Sequence, residues 1–200
     1  MSQPQLILAS ASIGRKTLLE KLGVPFKVWP SQIDEDAIID ANPIKMLELR
    51  ARAKAENAKN HFIANTTVKN YLIVAADSMA IHNHKTYGKA KNKTSAREIV
   101  IALMGKTHAF VTATAIISIQ NDRESERFEA VTKTLVTLRK LKDLEIAAYV
   151  NRYDFTRFAA GYALNETPWD MVTKIDGSYT NVIGLPFEIL LPLLRNFKIL

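Results

Sequence analysis

Two serines and two cations lie where the first apolar run of the sequence gives way to a helical pattern. Ser10, Ser12, Arg15 and Lys16 occupy this junction between a predicted strand and a predicted helix. The first backbone N–H groups of a helix have no partner within the helix, so such a junction attracts anions, and phosphates above all. The sequence therefore predicts a phosphate-binding site here.

A carboxylate follows the continuous apolar run Y-L-I-V-A-A of residues 71–76, which is typical of a strand buried on both faces. This carboxylate, Asp77, is predicted to end that strand. The residues after it, Ser-Met-Ala-Ile, are poor turn formers, so a functional role is favoured over a turn aspartate. Because an unpaired charge is costly to bury, replacement by asparagine is expected to leave the fold intact and even to stabilise it.

A lysine shares the apolar stripe of a long helix that is predicted to begin at Pro43 and to end near residue 60. Leu47, Ala51 and Ala58 recur at helical spacing, and Lys54 lies seven residues after Leu47 on the same face. A lysine in this position either extends its ammonium to solvent or meets an anion. The spacing alone leaves both alternatives open.

Two further charged residues have a simple structural explanation, which for Glu35 the sequence by itself favours. Glu35, between Asp34 and Asp36, is either a metal-binding carboxylate or part of a solvated acidic loop. Lys89 follows Gly88 and is either a functional cation or a surface lysine beside a turn glycine.

Taken together, these residues are two carboxylates, several cations and a helix start suited to anions. That set is typical of metal-assisted attack of water on a polyphosphate, where positioning and charge neutralisation supply most of the catalysis. The Gly-Lys-Thr of residues 105–107 is no P-loop, since Val100 stands where that motif requires glycine.

The composition is that of an ordinary globular protein, with 200 residues, 48% apolar content and 24% charged content. We expect one domain over residues 1–200. The chain has no cysteine, which excludes disulfides and thiolate metal sites. It has no apolar stretch of the roughly 20 residues that span a bilayer and no recognisable leader, so a cytoplasmic protein without membrane association is expected. The net charge of +7 is the one feature that favours the alternative of a nucleic-acid-binding module.

The predicted elements alternate between helix and strand, with one long hairpin in the middle. Two β-rich runs within residues 107–138 are bridged by the polar residues 120–127 and give the strongest hairpin signal. Ser95 and Glu98 have the spacing of a capping box for the helix that precedes this hairpin. A hairpin among alternating helices and strands indicates an α/β fold with a mixed sheet.

An ordered set of short motifs along nearly the whole chain resembles the Maf family of nucleoside triphosphate pyrophosphatases. The matching stretches are Ser10-Ala11-Ser12 with Arg15-Lys16, I-D-E ending at Glu35, A-R-A-K-A around Lys54, A-A-D-S around Asp77, G-K-A-K at residues 88–91, G-K-T-H at 105–108 and I-D-G-S-Y-T-N-V-I-G-L-P at 175–186. The resemblance implies a fold like that of inosine triphosphate pyrophosphatases: a long twisted mixed sheet flanked by helices, with two lobes around a central cleft, often in a homodimer.

The family resemblance also implies an activity, which is hydrolysis between the α- and β-phosphates of a nucleotide. The products are a nucleoside monophosphate and pyrophosphate, and non-canonical or modified nucleotides are among the family's substrates. By resemblance, Asp77 is the general base, and Glu35 and Asp77 flank a divalent cation, Mg²⁺ or alternatively Mn²⁺. The implied phosphate ligands are Ser10, Ser12, Arg15, Lys16, Lys54 and Lys89.

The sequence departs from the family pattern at three positions that bear on the choice of base. Gly14 stands where the family usually has an arginine, which in one subgroup is tied to base selectivity. Ser78 replaces a threonine, and Asn165 replaces a glutamine. These changes leave the phosphate machinery intact and predict an altered base preference. The alternative within the family is a protein that binds nucleotides with weak or no catalysis.

Overall fold

The computed structural model describes residues 3–162, 164 and 171–200. Its strands are β1 (Gln5–Leu8), β2 (Phe26–Val28), β3 (Tyr71–His82), β4 (Lys85–Tyr87), β5 (Thr107–Gln120), β6 (Arg123–Leu138) and β7 (Val172–Asp176). Its helices are α1 (Ile13–Leu22), α2 (Pro43–Asn65), α3 (Lys93–Leu103), α4 (Asp143–Arg152), α5 (Tyr179–Ile183) and α6 (Phe187–Asn196), with a short 3₁₀ helix at Phe155–Arg157. No helix in these ranges combines the length and the apolar character needed to cross a membrane.

In the described part of the chain, the strands form one seven-stranded sheet. Its order is β2-β1-β3-β5-β6-β7, and β4 pairs with β3 off this path. β1 runs parallel to β2 and β3, whereas β4 is antiparallel to β3 and β7 is antiparallel to β6. The prediction of an α/β fold with a mixed sheet is confirmed.

The parallel part of the sheet follows from two continuous apolar runs. Burial is complete over residues 6–9, in and directly after β1, and over residues 71–76 of β3. β1 and β3 pair in parallel, with Gln5 opposite Tyr71 and Leu8 opposite Val74. Strands buried on both faces need apolar residues at successive positions, which is the pattern of parallel sheets covered by helices.

The chain divides into two compact units. The first comprises Met1–Asp77, Thr112–Thr132 and Gly184–Leu200, and the second comprises Ser78–Val111 and Lys133–Ile183. The apolar core of the second unit includes Val100, Phe110 and Tyr149. It also holds a buried hydrogen bond of 2.8 Å between His108 Nε2 and Tyr162 Oη, and burial, assisted by His82, lowers the pKa of His108 to about 4.

Within the first unit, α2 is held by an apolar stripe on one side and by ion pairs elsewhere. Its buried residues are Leu47, Ala51, Lys54, Ala55, Ala58 and Phe62. Lys59 Nζ lies 2.8 Å from Glu124 Oε2 on β6, and Arg127 of β6 bonds both Glu56 and Glu124. The hydrogen bonds from Arg127 and Lys59 lower the pKa of Glu124 to about 2. These contacts fix α2 against its neighbour and thereby fix Lys54.

Two predicted boundaries differ from the structure because burial continues past them. α2 extends to Asn65, since Phe62 continues the buried stripe beyond residue 60. β3 does not end at Asp77 but runs to His82, since the buried Met79 and Ala80 follow and the strand then pairs with β4. The prediction that Asp77 ends its strand is therefore wrong.

Turn and cap chemistry corrects two further predictions. β6 begins at Arg123, so the hairpin turn is the pair Asn121-Asp122, whose positive φ values of 50° and 62° suit a tight two-residue hairpin. α3 has Asn92 as its N-cap, and Ser95 is the reciprocal partner at the third helical position. The predicted capping box of Ser95 with Glu98 is wrong, because the helix begins one turn earlier than that spacing suggests.

Candidate active site

Lys54 lies at the centre of a cluster of charged side chains in the first unit. Its Nζ is 2.7 Å from Glu35 Oε2 and 2.8 Å from Asp77 Oδ1. The Lys54 side chain is only 6% exposed, so its ammonium depends on these two carboxylates in place of water. Of the two alternatives that the sequence left open, Lys54 meets anions and does not reach solvent.

Asp77 is a buried carboxylate that is paired on both sides. Its Oδ1 accepts a hydrogen bond from Lys54, and its Oδ2 lies 4.0 Å from Arg50 Nη1. The expectation of an unpaired charge is therefore wrong. Both partners come from α2, more than twenty residues earlier in the chain, and a strand sequence read locally cannot reveal such partners.

Glu35 reaches the cluster from the loop before α2. The neighbouring Asp34 is engaged locally, since its Oδ1 accepts the backbone N–H groups of Asp36 and Ala37 at 3.1 and 3.3 Å. Asp34 therefore shapes the turn, whereas Glu35 extends to Lys54. The side chain of Glu35 is 45% exposed, which makes it the solvent-accessible member of the cluster.

Arg50 also belongs to the cluster, although no motif in the sequence distinguishes it. It lies one helical turn before Lys54 on α2, and its Nε donates to the Ile38 carbonyl at 3.1 Å. Its side chain is 17% exposed. The spacing of four residues from Lys54 was a usable signal, because side chains at i and i+4 share one face of a helix.

Arg15 connects the strand–helix junction to the C-terminal part of the first unit. Its Nη1 donates to Ser10 Oγ at 2.9 Å, and its Nε donates to the Gly184 carbonyl at 2.7 Å. Arg15 and Ser10 are both buried. The predicted junction residues therefore lie together, and Arg15 is held by the protein rather than extended into solvent.

Electrostatics link Arg15 to the Lys54 cluster. Burial lowers the pKa of the Arg15 guanidinium, and the negative charges of Asp77 and Glu35 oppose that effect. Because an arginine in a protein stays protonated at neutral pH, Arg15 is a buried cation within electrostatic range of both carboxylates. The site thus combines three cations, Arg15, Arg50 and Lys54, with two anions.

The start of α1 provides the remaining residues of the junction. Ser12 is the N-cap, and its Oγ accepts the backbone N–H of Arg15 at 3.4 Å. Gly14 is buried in the first turn. Lys16 is about half exposed and pairs with Glu20 at 3.5 Å, so it lies at the rim of this helix start.

Three further residues were selected from the sequence: Lys89, Ser78 and Asn165. Lys89 is exposed in the second unit, where it forms an isolated bridge with Ala159. Ser78 directly follows Asp77 in β3, and successive strand side chains point to opposite faces. Asn165 lies outside the described residues.

The two carboxylates of the cluster fit a hard divalent cation that takes its other ligands from water and substrate. Among the described residues, no group of three or more His, Asp or Glu side chains could hold a metal ion. Glu35 and Asp77 already share one positive charge, the ammonium of Lys54. Mg²⁺ is commonly bound by one or two carboxylates together with substrate phosphates, so this donor set suits Mg²⁺ or Mn²⁺ better than a metal that needs a complete protein cage.

The mixed sheet and its helices define the structural class of the protein. A solved HAM1 protein from Coxiella burnetii has the same fold, with a TM-score of 0.50 and 13% sequence identity, and the alignment covers 96% of this chain and 99% of that chain. At this identity the likeness concerns the fold alone.

The sequence comparison is more specific. The family model described as Maf-like protein matches residues 5–197, and the chain belongs to this family. A relative named dTTP/UTP pyrophosphatase from Treponema denticola is 36% identical, with 98% of this chain and 99% of the relative covered. A relative of the same name from Citrifermentans bemidjiense is 34% identical, with 93% and 92% covered. The predicted family is confirmed.

Proposed function

We propose that this protein is a nucleoside triphosphate pyrophosphatase that hydrolyses the bond between the α- and β-phosphates. The observation that carries this proposal is the cluster in which Lys54 bonds both Glu35 and Asp77. Two further cations, the buried Arg15 and the mostly buried Arg50, also act on Asp77. In such a cluster the carboxylates can accept a proton and bind a metal cation. The positively charged side chains can bind a polyphosphate. The names of the Treponema and Citrifermentans relatives support the same reaction class.

In the proposed reaction, Asp77 accepts a proton from the attacking water. The water oxygen forms a bond to the α-phosphorus while the bond from that phosphorus to the bridging oxygen breaks. The products are a nucleoside monophosphate and pyrophosphate, and the proton stays on Asp77 until solvent removes it. A positioned general base of this kind contributes on the order of 10²–10⁴ in rate.

Glu35 and Asp77 are the proposed carboxylate ligands of a divalent cation, Mg²⁺ or Mn²⁺. When bound, this cation supplies charge neutralisation at the phosphate oxygens. Lys54, Arg15 and Ser10 are proposed to bind phosphate oxygens from the buried side, and Ser12 and Lys16 from the start of α1. Lys89, in the second unit, is proposed as a further phosphate ligand because of its position in the G-K-A-K motif.

The proposed substrate range is broader than the names of the relatives suggest. Those names specify dTTP and UTP, whereas this chain has Gly14 where the family has an arginine and Asn165 where it has a glutamine. A forked guanidinium grips a planar polar edge in a way that glycine cannot. We therefore include modified and non-canonical nucleotides in the proposed range, with Gly14, Ser78 and Asn165 as positions that influence the choice. One catalytic domain over residues 1–200, a homodimer and a cytoplasmic location remain predictions.

The experiment that tests the proposal is a product analysis of the purified protein with Mg²⁺ and a panel of canonical and modified nucleoside triphosphates. We expect one monophosphate and one pyrophosphate for each triphosphate consumed, measured by chromatography and phosphorus NMR. Diphosphate with orthophosphate would instead indicate cleavage at the γ-phosphate. Absence of turnover with every nucleotide would contradict the proposed function.

A further inference from the structure

The ammonium of Lys54 lies between the two carboxylates that are proposed to hold the divalent cation. It makes contacts of 2.7 Å to Glu35 and 2.8 Å to Asp77. Because the Lys54 side chain is almost fully buried, this pairing is its main compensation for the loss of water. In the nucleotide-free protein, the single positive charge of Lys54 is therefore shared by both carboxylates and already offsets part of their negative charge.

The surrounding cations strengthen this effect. Arg50 lies 4.0 Å from Asp77, and Arg15 is buried within electrostatic range of both carboxylates. A divalent cation that enters this cluster meets two carboxylates but three positive side chains. A triphosphate meets the opposite balance, since every one of the three cations attracts it.

We propose that Lys54 is an exchangeable counter-ion of the metal site, an inference that rests on the proposed function. Without nucleotide, its ammonium occupies the place of a cation between Glu35 and Asp77 and keeps divalent metal from binding tightly. With nucleotide, the phosphates take the ammonium and leave both carboxylates for the metal. The substrate of this site is therefore the metal–nucleotide complex, and the free protein is a poor metal binder.

Two structural features make this exchange feasible. The lysine ammonium is a compact charge on a flexible four-carbon stem, so it can turn from a carboxylate to a nearby phosphate. Glu35 lies on a loop and is 45% exposed, so its contact with Lys54 is partly hydrated and correspondingly weak. The contact with Asp77 is the buried one and is the more persistent of the two.

The experiment is a titration of the nucleotide-free protein with Mn²⁺, followed by calorimetry and by the electron paramagnetic resonance signal of free Mn²⁺. Lys54→Met removes the ammonium but keeps the apolar stem. We expect it to bind Mn²⁺ at least about tenfold more tightly than the wild-type protein, because one unit charge at 4–6 Å shifts ionic equilibria by about ten- to a thousandfold. The control Lys45→Met removes an equal charge from an exposed position of α2, and its affinity should match the wild type.

The double variant Glu35→Gln with Lys54→Met tests whether the gained affinity arises at this site. The double variant should lose most of the increase in Mn²⁺ affinity that Lys54→Met produces. If that increase persists, the metal binds elsewhere and the proposal is overturned. Lys54→Gln, which keeps a neutral donor, replaces Lys54→Met if that variant does not melt cooperatively. The proposal would also be overturned if the wild-type protein and the Lys54 variants bound Mn²⁺ with equal affinity. Tight binding of Mn²⁺ by the nucleotide-free wild-type protein would overturn it as well.

Pyrophosphate release by the wild-type protein is measured separately on the same preparation. Its absence would remove the proposed function, whereas an unchanged Mn²⁺ affinity in the Lys54 variants would remove only the counter-ion role. The two failures are therefore distinguishable.

Discussion

The charge balance at Lys54 determines how the cluster responds to substitution. Lys54 is buried and shared by two carboxylates, and Asp77 in turn faces both Lys54 and Arg50. Removing one member leaves the others with an uncompensated charge in a site of low exposure. Removal of one partner of a buried ion pair usually costs more stability than the intact pair contributes, because the remaining charge is left buried and uncompensated.

The first prediction concerns catalysis by the Lys54→Met variant. A charge-assisted hydrogen bond to phosphate is worth roughly 1.5–3 kcal/mol, so kcat/KM for a nucleoside triphosphate should fall at least about tenfold. The measurement is steady-state pyrophosphate release, with Lys45→Met as the control for the same charge change on α2. Unchanged kcat/KM in Lys54→Met would exclude Lys54 from substrate binding.

The second prediction reverses the stability expected from the strand sequence alone. Since Asp77 is paired with Lys54, Asp77→Asn weakens a buried ionic hydrogen bond and leaves Lys54 with Glu35 alone. We expect the free energy of unfolding to fall by about 1–3 kcal/mol, with a lower melting temperature at neutral pH. A variant as stable as the wild type, or more stable, would show that the Lys54–Asp77 pair contributes nothing to the fold.

The charged residues were predictable from the sequence to different extents. The position of Lys54 on the apolar stripe of α2 followed from helical spacing, although that spacing did not decide whether its ammonium reaches solvent. The Ser10–Arg15 junction followed from the strand-to-helix transition. The partners of these residues were not predictable, because they come from distant positions. Arg15 bonds the Gly184 carbonyl, which is 169 residues away, and no local pattern encodes such a contact.

At the scale of elements, the site depends on the register between α2 and β3. α2 is positioned by its buried stripe and by the ion pairs of Glu56 and Lys59 with residues of β6. β3 is positioned by its parallel pairing with β1. The existence and type of both elements followed from the hydrophobic pattern, whereas their ends did not, because continued burial past residue 60 and past Asp77 depends on neighbouring elements.

The third prediction tests the cap of α3. Asn92 Oδ1 accepts the N–H of Ser95 at 2.9 Å, and Ser95 Oγ accepts the N–H of Asn92 at 3.1 Å. Asn92→Ala should lower the free energy of unfolding by about 1 kcal/mol, measured by urea denaturation. Glu98→Ala is the control and should stay within about 0.5 kcal/mol of the wild type. The opposite ranking would restore the capping box suggested by the sequence.

At the scale of the whole molecule, the sequence indicates the protein family more clearly than it indicates the preferred nucleobase. The matched motifs extend over nearly all of the chain, and the family model covers residues 5–197. The order of strands could not be predicted from the sequence, since the neighbours β1 and β3 are separated by two helices and another strand. We propose that the base preference depends on Gly14 and Asn165, where the sequence differs from the family pattern.

The fourth prediction concerns that preference. Without an arginine at position 14, we expect weaker discrimination between bases than a strict dTTP and UTP preference. The measurement is kcat/KM over the nucleotide panel for the wild type and for Gly14→Arg, which should shift the ratio toward pyrimidines. A wild-type protein that strongly prefers dTTP and UTP over all other nucleotides would contradict this prediction.

The most direct test of the central claim is pyrophosphate release by Asp77→Asn in the presence of Mg²⁺. Asparagine preserves the size of the side chain but cannot accept the proton of water at neutral pH and is a poor cation ligand. We predict a fall in kcat on the order of 10²–10⁴, the contribution of a general base, in a protein that remains folded by circular dichroism and still binds nucleotide through its cations. Turnover near the wild-type rate in a folded Asp77→Asn protein would contradict both the role of Asp77 and the mechanism that depends on it.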